Sequence, residues 1–122
     1  MSSTQQTIET TSPAGLSIVL PTFNEGDSIA SVIGSLLTLS EQEPLEILVV
    51  DDDSSDGTTE TVRAMALRDP RIRIIHRLGR SGLASAIKEG LIDAIHPRAI
   101  VMDSDGQHEP ASVLDLSLIH IS

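Results

Sequence analysis

The sequence predicts an α/β protein with a Rossmann-like parallel sheet and flanking helices, and two observations lead to this fold class. Four short aliphatic runs alternate along the chain with segments whose apolar residues recur at helical spacing. Proline or glycine separates most of these segments, as is typical of the boundaries between strands and helices. Strands that alternate with helices at this spacing form βαβ units, in which successive strands run parallel.

The elements follow one another in a regular order, and each is predicted from its own apolar pattern. The four strands are predicted at Leu16–Leu20, Leu45–Val50, Ile72–Ile75 and Ala99–Met102. Three helices lie between them, and a further helix is expected to begin at Pro110. The inner faces of the three helices are predicted to carry Ile29, Val32, Ile33, Leu36 and Leu37, then Val62, Met65 and Ala66, then Leu83, Ala86, Ile87, Gly90, Leu91 and Ala94.

The chain is expected to contain one domain with a short extension at each end. Residues 1–15 are rich in Ser, Thr and Gln without periodicity, and they are predicted to form a disordered leader. Residues 16–116 carry all the predicted elements. Residues 117–122 do not continue the helix expected from Pro110, so we interpret them as an atypical tail after a domain that is incomplete at its C-terminus.

Composition and charge exclude several classes of protein. The chain has 18 acidic and 8 basic residues, a net charge of -10, and one aromatic residue, so it lacks both the basic stripe and the stacking platforms of a nucleic-acid binder. Without cysteine it has neither disulfides nor a thiolate metal site. It shows no signal-peptide pattern and no apolar run of about 18 residues, so we expect a cytoplasmic protein.

Polar loops follow each predicted strand, and together they indicate a binding site. Ligands of parallel α/β sheets bind at the carboxyl ends of the strands, where these loops converge. The loop after the second strand contains three consecutive aspartates, whose carboxylates repel one another unless a hydrogen-bond donor or a cation compensates them. Asp56, further along this loop, is predicted to be the N-cap of the second helix.

Two further groups of charged residues either bind a ligand or are simply exposed to solvent. Asp103 and Asp105 lie two residues apart in an extended segment and therefore face one spot, which suits Mg²⁺ or Mn²⁺ bound together with phosphates. The alternative is that they belong to a solvated acidic turn with no role in binding. Arg77 and Arg80 follow the third strand, where they either bind a diphosphate or a phosphorylated acceptor, or form a solvated face.

The combination of these loops resembles family 2 glycosyltransferases of the GT-A fold. Pro21–Glu25 is similar to the family's Pro-Thr-x-Asn-Glu opening, and Val49–Thr58 is similar to its second, aspartate-rich motif. Arg77–Ala86 resembles the arginine–glycine motif of the polyprenyl- or dolichyl-phosphate sugar transferases, such as the mannosyltransferases, and Asp103–Pro110 resembles the metal motif of that branch. The resemblance implies that the chain is the N-terminal, nucleotide-binding half of a GT-A fold.

The resemblance also implies roles for individual residues. It implies an inverting, metal-dependent transfer of sugar from a GDP- or UDP-sugar donor to an acceptor, a polyprenyl or dolichyl phosphate at the cytoplasmic face of the membrane. The metal would be Mg²⁺ or Mn²⁺. By position, it implies that Pro21, Phe23, Glu25 and Asp52, with Asp51 in support, bind the nucleotide, and that Asp103, Asp105 and Gln107 bind the metal. Arg77 and Arg80, from their location after the third strand, are the candidate phosphate-binding residues.

Two hypotheses from other classes compete with this interpretation. The first is a noncatalytic fragment that binds the nucleotide and transfers nothing. The second is a phosphoacceptor receiver domain, because Ile47–Asp53 is similar to the acidic opening of such signalling modules. A receiver would begin at that strand and carry a lysine after its phosphoacceptor, whereas here a strand and a helix come first and Lys88 precedes Asp103.

Overall fold

Strands and helices alternate along the chain as the apolar pattern predicts. The computed structural model describes residues 15–38, 43–79 and 81–102, together with the backbone of 110–115. Its strands are β1 (Leu16–Thr22), β2 (Leu45–Asp51), β3 (Ile72–His76), β4 (Arg98–Met102) and β5 (Pro110–Asp115), and its helices are α1 (Ile29–Leu37), α2 (Thr58–Arg68) and α3 (Leu83–Asp93).

Several predicted features lie outside the described residues. These features are the leader apart from Gly15, the tail at 117–122, Arg80, and the proposed metal ligands Asp103, Asp105 and Gln107.

The sheet has the order β3-β2-β1-β4-β5, and β1 to β4 pair in parallel. This confirms the predicted parallel sheet with flanking helices. In a Rossmann-type sheet the first strand has the second and the fourth as neighbours, whereas a receiver-type sheet places the third strand beside the first. Because β1 pairs with β2 and β4, the receiver hypothesis is wrong.

The prediction of a helix that begins at Pro110 is also wrong, since the chain forms β5 there. This strand pairs antiparallel with β4, with Arg98 opposite Asp115. The reason is tertiary: the outer edge of β4 presents unpaired backbone groups, and pairing satisfies them while a separate helix would not. Pro110 stands at the first residue of the strand, where its missing N–H is tolerated.

The core has two layers because successive side chains of β1 and β2 point to opposite faces. Both strands are buried almost throughout. One face packs on α1 and α2, and the other face packs on α3. The first layer includes Ile18, Leu20, Ile47 and Val49 with Ile29, Val32, Ile33 and Val62. The second includes Val19, Leu48, Val50 and Val101 with Ala86.

Helix α3 lies close to the sheet where Gly90 faces β1 and β2. A Cβ atom at that position would lie 2.5 Å from Val19 Cγ1 and 3.1 Å from Val50 Cγ2. The helix therefore contacts β1 and β2 directly through its backbone. None of the helices in the described part of the chain combines the length and the apolar character that a membrane span requires.

Candidate functional site

A cavity of about 360 Å³ opens where the carboxyl ends of β1 and β4 meet. The chain builds the sheet outward from β1 in one direction through β3 and then returns to add β4 on the other side, and ligands of such sheets bind at this switch point. The walls come from the end of β1 and its loop, the end of β4, the residue after β2 and the start of α3. They are Pro21, Thr22, Phe23, Glu25, Asp52, Gly82, Leu83, Ala86, Ile87, Val101 and Met102.

The cavity brings together four of the residues that the sequence proposed for nucleotide binding. Pro21, Phe23, Glu25 and Asp52 all line it. Asp51 does not, because alternation along β2 directs its side chain to the opposite face of the sheet. Arg77, proposed as a phosphate ligand, does not line the cavity either.

Asp51 is fully buried and binds other parts of the protein. Its carboxylate accepts hydrogen bonds from Thr22 Oγ1 at 2.6 Å, from Ser54 N at 2.9 Å and Oγ at 2.6 Å, and from Thr59 Oγ1 at 2.7 Å. Burial by itself raises the pKa of Asp51, but the hydrogen bonds from Ser54, Thr22 and Thr59 outweigh it and hold the pKa below its usual value. The side chain thus joins β1, the loop after β2 and α2 behind the cavity.

Asp52 occupies the junction between β2 and the start of α3. Its carboxylate accepts backbone N–H groups from Ser81 at 2.9 Å and Gly82 at 2.8 Å. A negative charge at a helix N-terminus is favoured because it compensates the unpaired N–H groups there. On another side, Arg77 Nε lies 3.3 Å from Asp52 Oδ1.

Arg77 is buried, with 8% of its surface exposed. Its backbone N–H donates to the carbonyl oxygen of Asp51 at 2.9 Å, and Nη1 lies 3.5 Å from Glu89 Oε1 on α3. The alternative of a solvated face is therefore wrong for this arginine. Its guanidinium group lies between Asp52 and Glu89, and Arg77 is absent from the cavity wall.

Asn24 fastens the loop after β1 to the loop after β2. Its backbone N–H donates to Ser54 Oγ at 2.8 Å, and its side-chain oxygen accepts from Ser55 N at 2.9 Å. The positive φ of 55° places Asn24 in the left-handed region, which asparagine tolerates better than most residues. Next to it, Glu25 N donates to Thr58 Oγ1 at 3.0 Å. These bonds set the position of the cavity wall at Phe23 and Glu25.

Asp56 completes the same connection, although it is not the N-cap that the sequence predicted. The N-cap of α2 is Gly57, whose φ of 97° is readily available only to glycine. Asp56 lies one residue earlier, and its Oδ1 accepts from Thr58 N at 3.1 Å while Oδ2 accepts from Gly26 N at 3.0 Å. The carboxylate still satisfies a first-turn N–H, and it also holds the loop after β1.

The three consecutive aspartates are compensated by donors within the protein. Asp53, the third, accepts from Gly79 N at 2.9 Å, and its Oδ1 lies 3.1 Å from His76 Nε2. Among the described residues no group of three potential ligands is arranged to hold a metal ion. The compensating cation considered from the sequence is thus unnecessary for these carboxylates.

The sequence reasoning gave no role to the hydroxyl and amide groups that surround these carboxylates. The signal was present, because Ser, Thr and Asn residues beside aspartates commonly hydrogen-bond to them in loops. Thr22, Ser54 and Thr59 bond to Asp51, and Thr58 bonds to Asp56. Asn24 instead bonds to Ser54 and Ser55 beside them.

Comparison with known proteins identifies the family. The sequence model of glycosyl transferase family 2 matches residues 17–117. The chain belongs to glycosyl transferase family 2. This assignment confirms the resemblance that the loop motifs carry.

Similar family 2 proteins include enzymes named for transfer to lipid phosphates. A dolichol-phosphate mannosyltransferase of Mycosarcoma maydis is 36% identical over 115 residues, which cover 89% of this chain and 39% of the relative. A polyprenol monophosphomannose synthase of Mycolicibacterium smegmatis is 34% identical over 97 residues, covering 76% of this chain and 36% of the relative. The chain therefore spans about two fifths or less of the length of these relatives.

Solved structures confirm the GT-A fold class. The mannosyltransferase PcManGT from Pyrobaculum calidifontis, in complex with GDP-Man and Mn²⁺, superposes with a TM-score of 0.67 at 29% identity, over 79% of this chain and 28% of that one. S. aureus TarS in complex with UDP-GlcNAc gives a TM-score of 0.64 at 26% identity, over 75% and 26% of the two chains.

Proposed function

We propose that this protein binds a nucleotide-sugar donor in the cavity and transfers the sugar, with inversion, to a polyprenyl or dolichyl phosphate. The observation that carries the proposal is the cavity at the sheet's switch point, which combines the apolar walls of Phe23, Leu83 and Ile87 with the carboxylates of Asp52 and Glu25. The names of the similar mannosyltransferases and the GDP-Man complex of a solved neighbour support it.

The nucleoside of a GDP- or UDP-sugar is the part of the donor that suits this cavity. Its base has two flat apolar faces, and its edge and its ribose carry hydrogen-bonding groups. Phe23 and Leu83 offer apolar contact, while Asp52 and Glu25 offer acceptors to N–H and hydroxyl groups. We propose that Asp52 binds the base or the ribose, supported from behind by Asp51.

The donor diphosphate is proposed to lie toward the residues after β4. Met102 lines the cavity, and Asp103 is the next residue of the chain. Asp103, Asp105 and Gln107 offer two carboxylates and an amide oxygen, a donor set that fits Mg²⁺ or Mn²⁺. Such a bound metal would neutralise charge on the departing diphosphate. Arg80 remains a candidate phosphate ligand in this proposal.

A phosphate acceptor would need little help from a dedicated base. The second pKa of a phosphate monoester is about 6, so a polyprenyl phosphate is already ionised near neutral pH. Its oxygen attacks the anomeric carbon from the side opposite the diphosphate, the new C–O bond forms as the old one breaks, and the configuration inverts. We propose that the reaction takes place at the cytoplasmic face of the membrane, where the acceptor's phosphate is accessible.

Calorimetry with GDP and UDP tests the donor site and its metal. We expect binding to depend on Mn²⁺ or Mg²⁺ and to weaken strongly when Asp103→Asn and Asp105→Asn are combined, because two anionic ligands are lost. Asp53→Asn is the matched control, since Asp53 is exposed and does not line the cavity. Equal nucleotide binding in EDTA would contradict the metal role.

Asp52→Ala tests the proposed contact to the nucleoside. The variant should bind a bare nucleoside and its diphosphate more weakly by a similar amount, roughly 1.5–3 kcal/mol for a lost charge-assisted hydrogen bond. A variant in which nucleoside binding is intact but metal affinity falls would show that Asp52 serves the metal instead.

The chain's length relative to its relatives favours a second candidate, a donor-binding unit without transfer. The 122 residues span 39% or less of the relatives named above. Transfer needs an acceptor held in line with the donor, and that alignment supplies much of the rate. We therefore expect no turnover from the 122-residue chain in a radiolabel assay with a short polyprenyl phosphate. Turnover equal to that of a version extended to the relatives' length would refute this expectation.

A further inference from the structure

We propose that Arg77 is a positioning residue that acts through Asp52, and that it does not bind the donor's phosphates. The inference rests on the proposed donor site, because it concerns the carboxylate that this site presents to the nucleoside. It replaces the phosphate-binding role that the location of Arg77 after the third strand suggested.

The first argument is the location of the guanidinium group. The Arg77 side chain is 7% exposed, and that of Asp52 is 6% exposed. Asp52 lines the cavity and Arg77 does not, so a ligand in the cavity meets the carboxylate and not the guanidinium. The backbone N–H of Arg77, bound to the Asp51 carbonyl, fixes the start of this side chain to the end of β2.

The second argument is what Asp52 needs from its surroundings. A buried carboxylate is destabilising unless a positive charge and hydrogen-bond donors compensate it. The backbone N–H groups of Ser81 and Gly82 orient the carboxylate from the α3 side, and Arg77 Nε approaches Oδ1 from the β3 side. These contacts hold the Asp52 carboxylate in one orientation before a nucleoside arrives.

The third argument is the second contact of Arg77. Nη1 lies 3.5 Å from Glu89 Oε1, in the middle of α3. Nη1 and Nη2 are buried, and they have no hydrogen-bond partner among the described residues. Because both nitrogens are buried and Arg77 is absent from the cavity wall, a phosphate in the cavity would not contact them in this arrangement.

Arg77→Gln distinguishes a positioning role from a phosphate contact. Calorimetry on the 122-residue chain would compare GDP with guanosine and UDP with uridine, each with Mn²⁺. If Arg77 acts through Asp52, affinity for nucleoside and diphosphate should fall by the same factor, on the order of 10-fold, as for other residues that orient a ligand-binding group. A loss confined to the diphosphates, or no loss at all, would overturn the inference.

A double-mutant cycle tests whether the effect passes through Asp52. Arg77→Gln in the Asp52→Asn background should change nucleoside affinity no further, because the group it orients has already lost its charge. Independent, additive losses would overturn the inference. Arg77→Lys keeps the positive charge but loses Nε, so its affinity should lie between those of the wild type and Arg77→Gln.

The matched control is Arg73→Gln at the other end of the same strands. Arg73 pairs with buried Glu46, away from the cavity, so its loss should lower the urea midpoint and leave nucleotide affinity unchanged.

If Arg77→Gln fails to fold, Glu89→Gln removes only the outer contact and should still lower the affinities for nucleoside and diphosphate equally. A wild-type chain that binds neither GDP nor UDP would refute the donor site itself, an outcome distinct from any selective effect of Arg77→Gln.

Discussion

The two ends of β2 use the same arrangement for different purposes. Glu46 near the amino end and Asp52 just beyond the carboxyl end are six positions apart and therefore lie on the same face of the sheet. Each carboxylate is buried, each lies beside an arginine from β3 or the residue after it, and each accepts backbone N–H groups near one end of α3. The helix is thus held at both ends by one strand.

The difference between the two ends lies in what each carboxylate faces. Glu46 accepts hydrogen bonds from Ser17 Oγ at 2.6 Å, Ile95 N at 2.8 Å and Arg73 Nη1 at 2.6 Å, and none of these residues lines the cavity. Asp52 has comparable protein partners but also forms part of the cavity wall. Burial alone therefore does not mark a carboxylate as functional. What distinguishes Asp52 from Glu46 is its location at the carboxyl edge of the sheet, at the switch point where ligands bind.

The largest expected effect comes from removing the carboxylate at the amino end. Glu46→Ala should lower the free energy of unfolding by several kcal/mol, because Ser17 and Ile95 each lose their acceptor at a cost of roughly 1–3 kcal/mol and Arg73 keeps only its exposed partner Asp93. Urea denaturation measures this loss. The folded fraction should bind nucleotide with unchanged affinity, since Glu46 does not line the cavity.

Asp93→Asn provides the matched comparison for that loss. Asp93 pairs with the same arginine, but its side chain is 48% exposed, so the change should cost less than about 1 kcal/mol. If Glu46→Ala cost no more than Asp93→Asn, the amino end would not carry the stabilising role assigned to it here.

The alternation of apolar runs was enough to predict β1 to β4, the three helices and the edge at which the polar loops meet. Two parts were not predictable in this way. β5 depends on pairing with the open edge of β4, a long-range interaction that local pattern does not contain. The burial of Arg77 depends on Asp52 and Glu89, which are distant in sequence and become neighbours only when α3 packs on the sheet.

Within the site, alternation along β2 could have separated the roles of its two terminal aspartates. Adjacent strand residues point to opposite faces of the sheet, so Asp51 and Asp52 are expected to have different partners. Which of them lines the cavity depends on where α3 lies, and only the packed structure supplies that position.

Acid should lower the stability of the protein by protonating a different carboxylate at each end of β2. Burial raises the pKa of Glu46, but hydrogen bonds from Ser17 and Ile95 and the contact with Arg73 outweigh it, so its pKa lies below the ordinary 4.5, as that of Asp51 lies below 3.8. The stabilisation from each group is complete above its ordinary value and is lost as the pH falls through the lowered one. We expect urea midpoints to fall as the pH drops below about 4.5.

The same pH series on Glu46→Gln measures how much Glu46, at the amino end of β2, contributes to the loss of stability in acid. This variant has no carboxylate at position 46, so its midpoint should depend less steeply on pH in the acid range. An unchanged slope would mean that Glu46 contributes nothing to the acid sensitivity.

Gly90→Ala should disturb both ends together, because Gly90 is the point at which the helix that connects them packs on β1 and β2. The added Cβ would lie 2.5 Å from Val19 Cγ1, so α3 or the strand must move, at a cost of about 1–3 kcal/mol. A displaced α3 also shifts Gly82 relative to Asp52, so nucleotide affinity should fall as well. Loss of stability with affinity fully retained would show that the position of α3 does not set the site.

The smallest expected change in stability is that of Gly34→Ala in α1. This variant shows how much of the Gly90→Ala result comes from helix propensity and how much from packing. Glycine inside a helix is less favourable than alanine by roughly 0.5–1 kcal/mol, and a Cβ at Gly34 would meet nothing within 4 Å. Gly34→Ala should therefore raise the urea midpoint slightly and leave nucleotide affinity unchanged, since α1 packs on the face of the sheet opposite α3. The same gain in propensity is available at Gly90, so the difference between the two variants measures the cost of moving α3 away from β1 and β2. If Gly34→Ala destabilised the protein, the exposed position of Gly34 would be wrong and the Gly90 result could no longer be assigned to packing against the sheet.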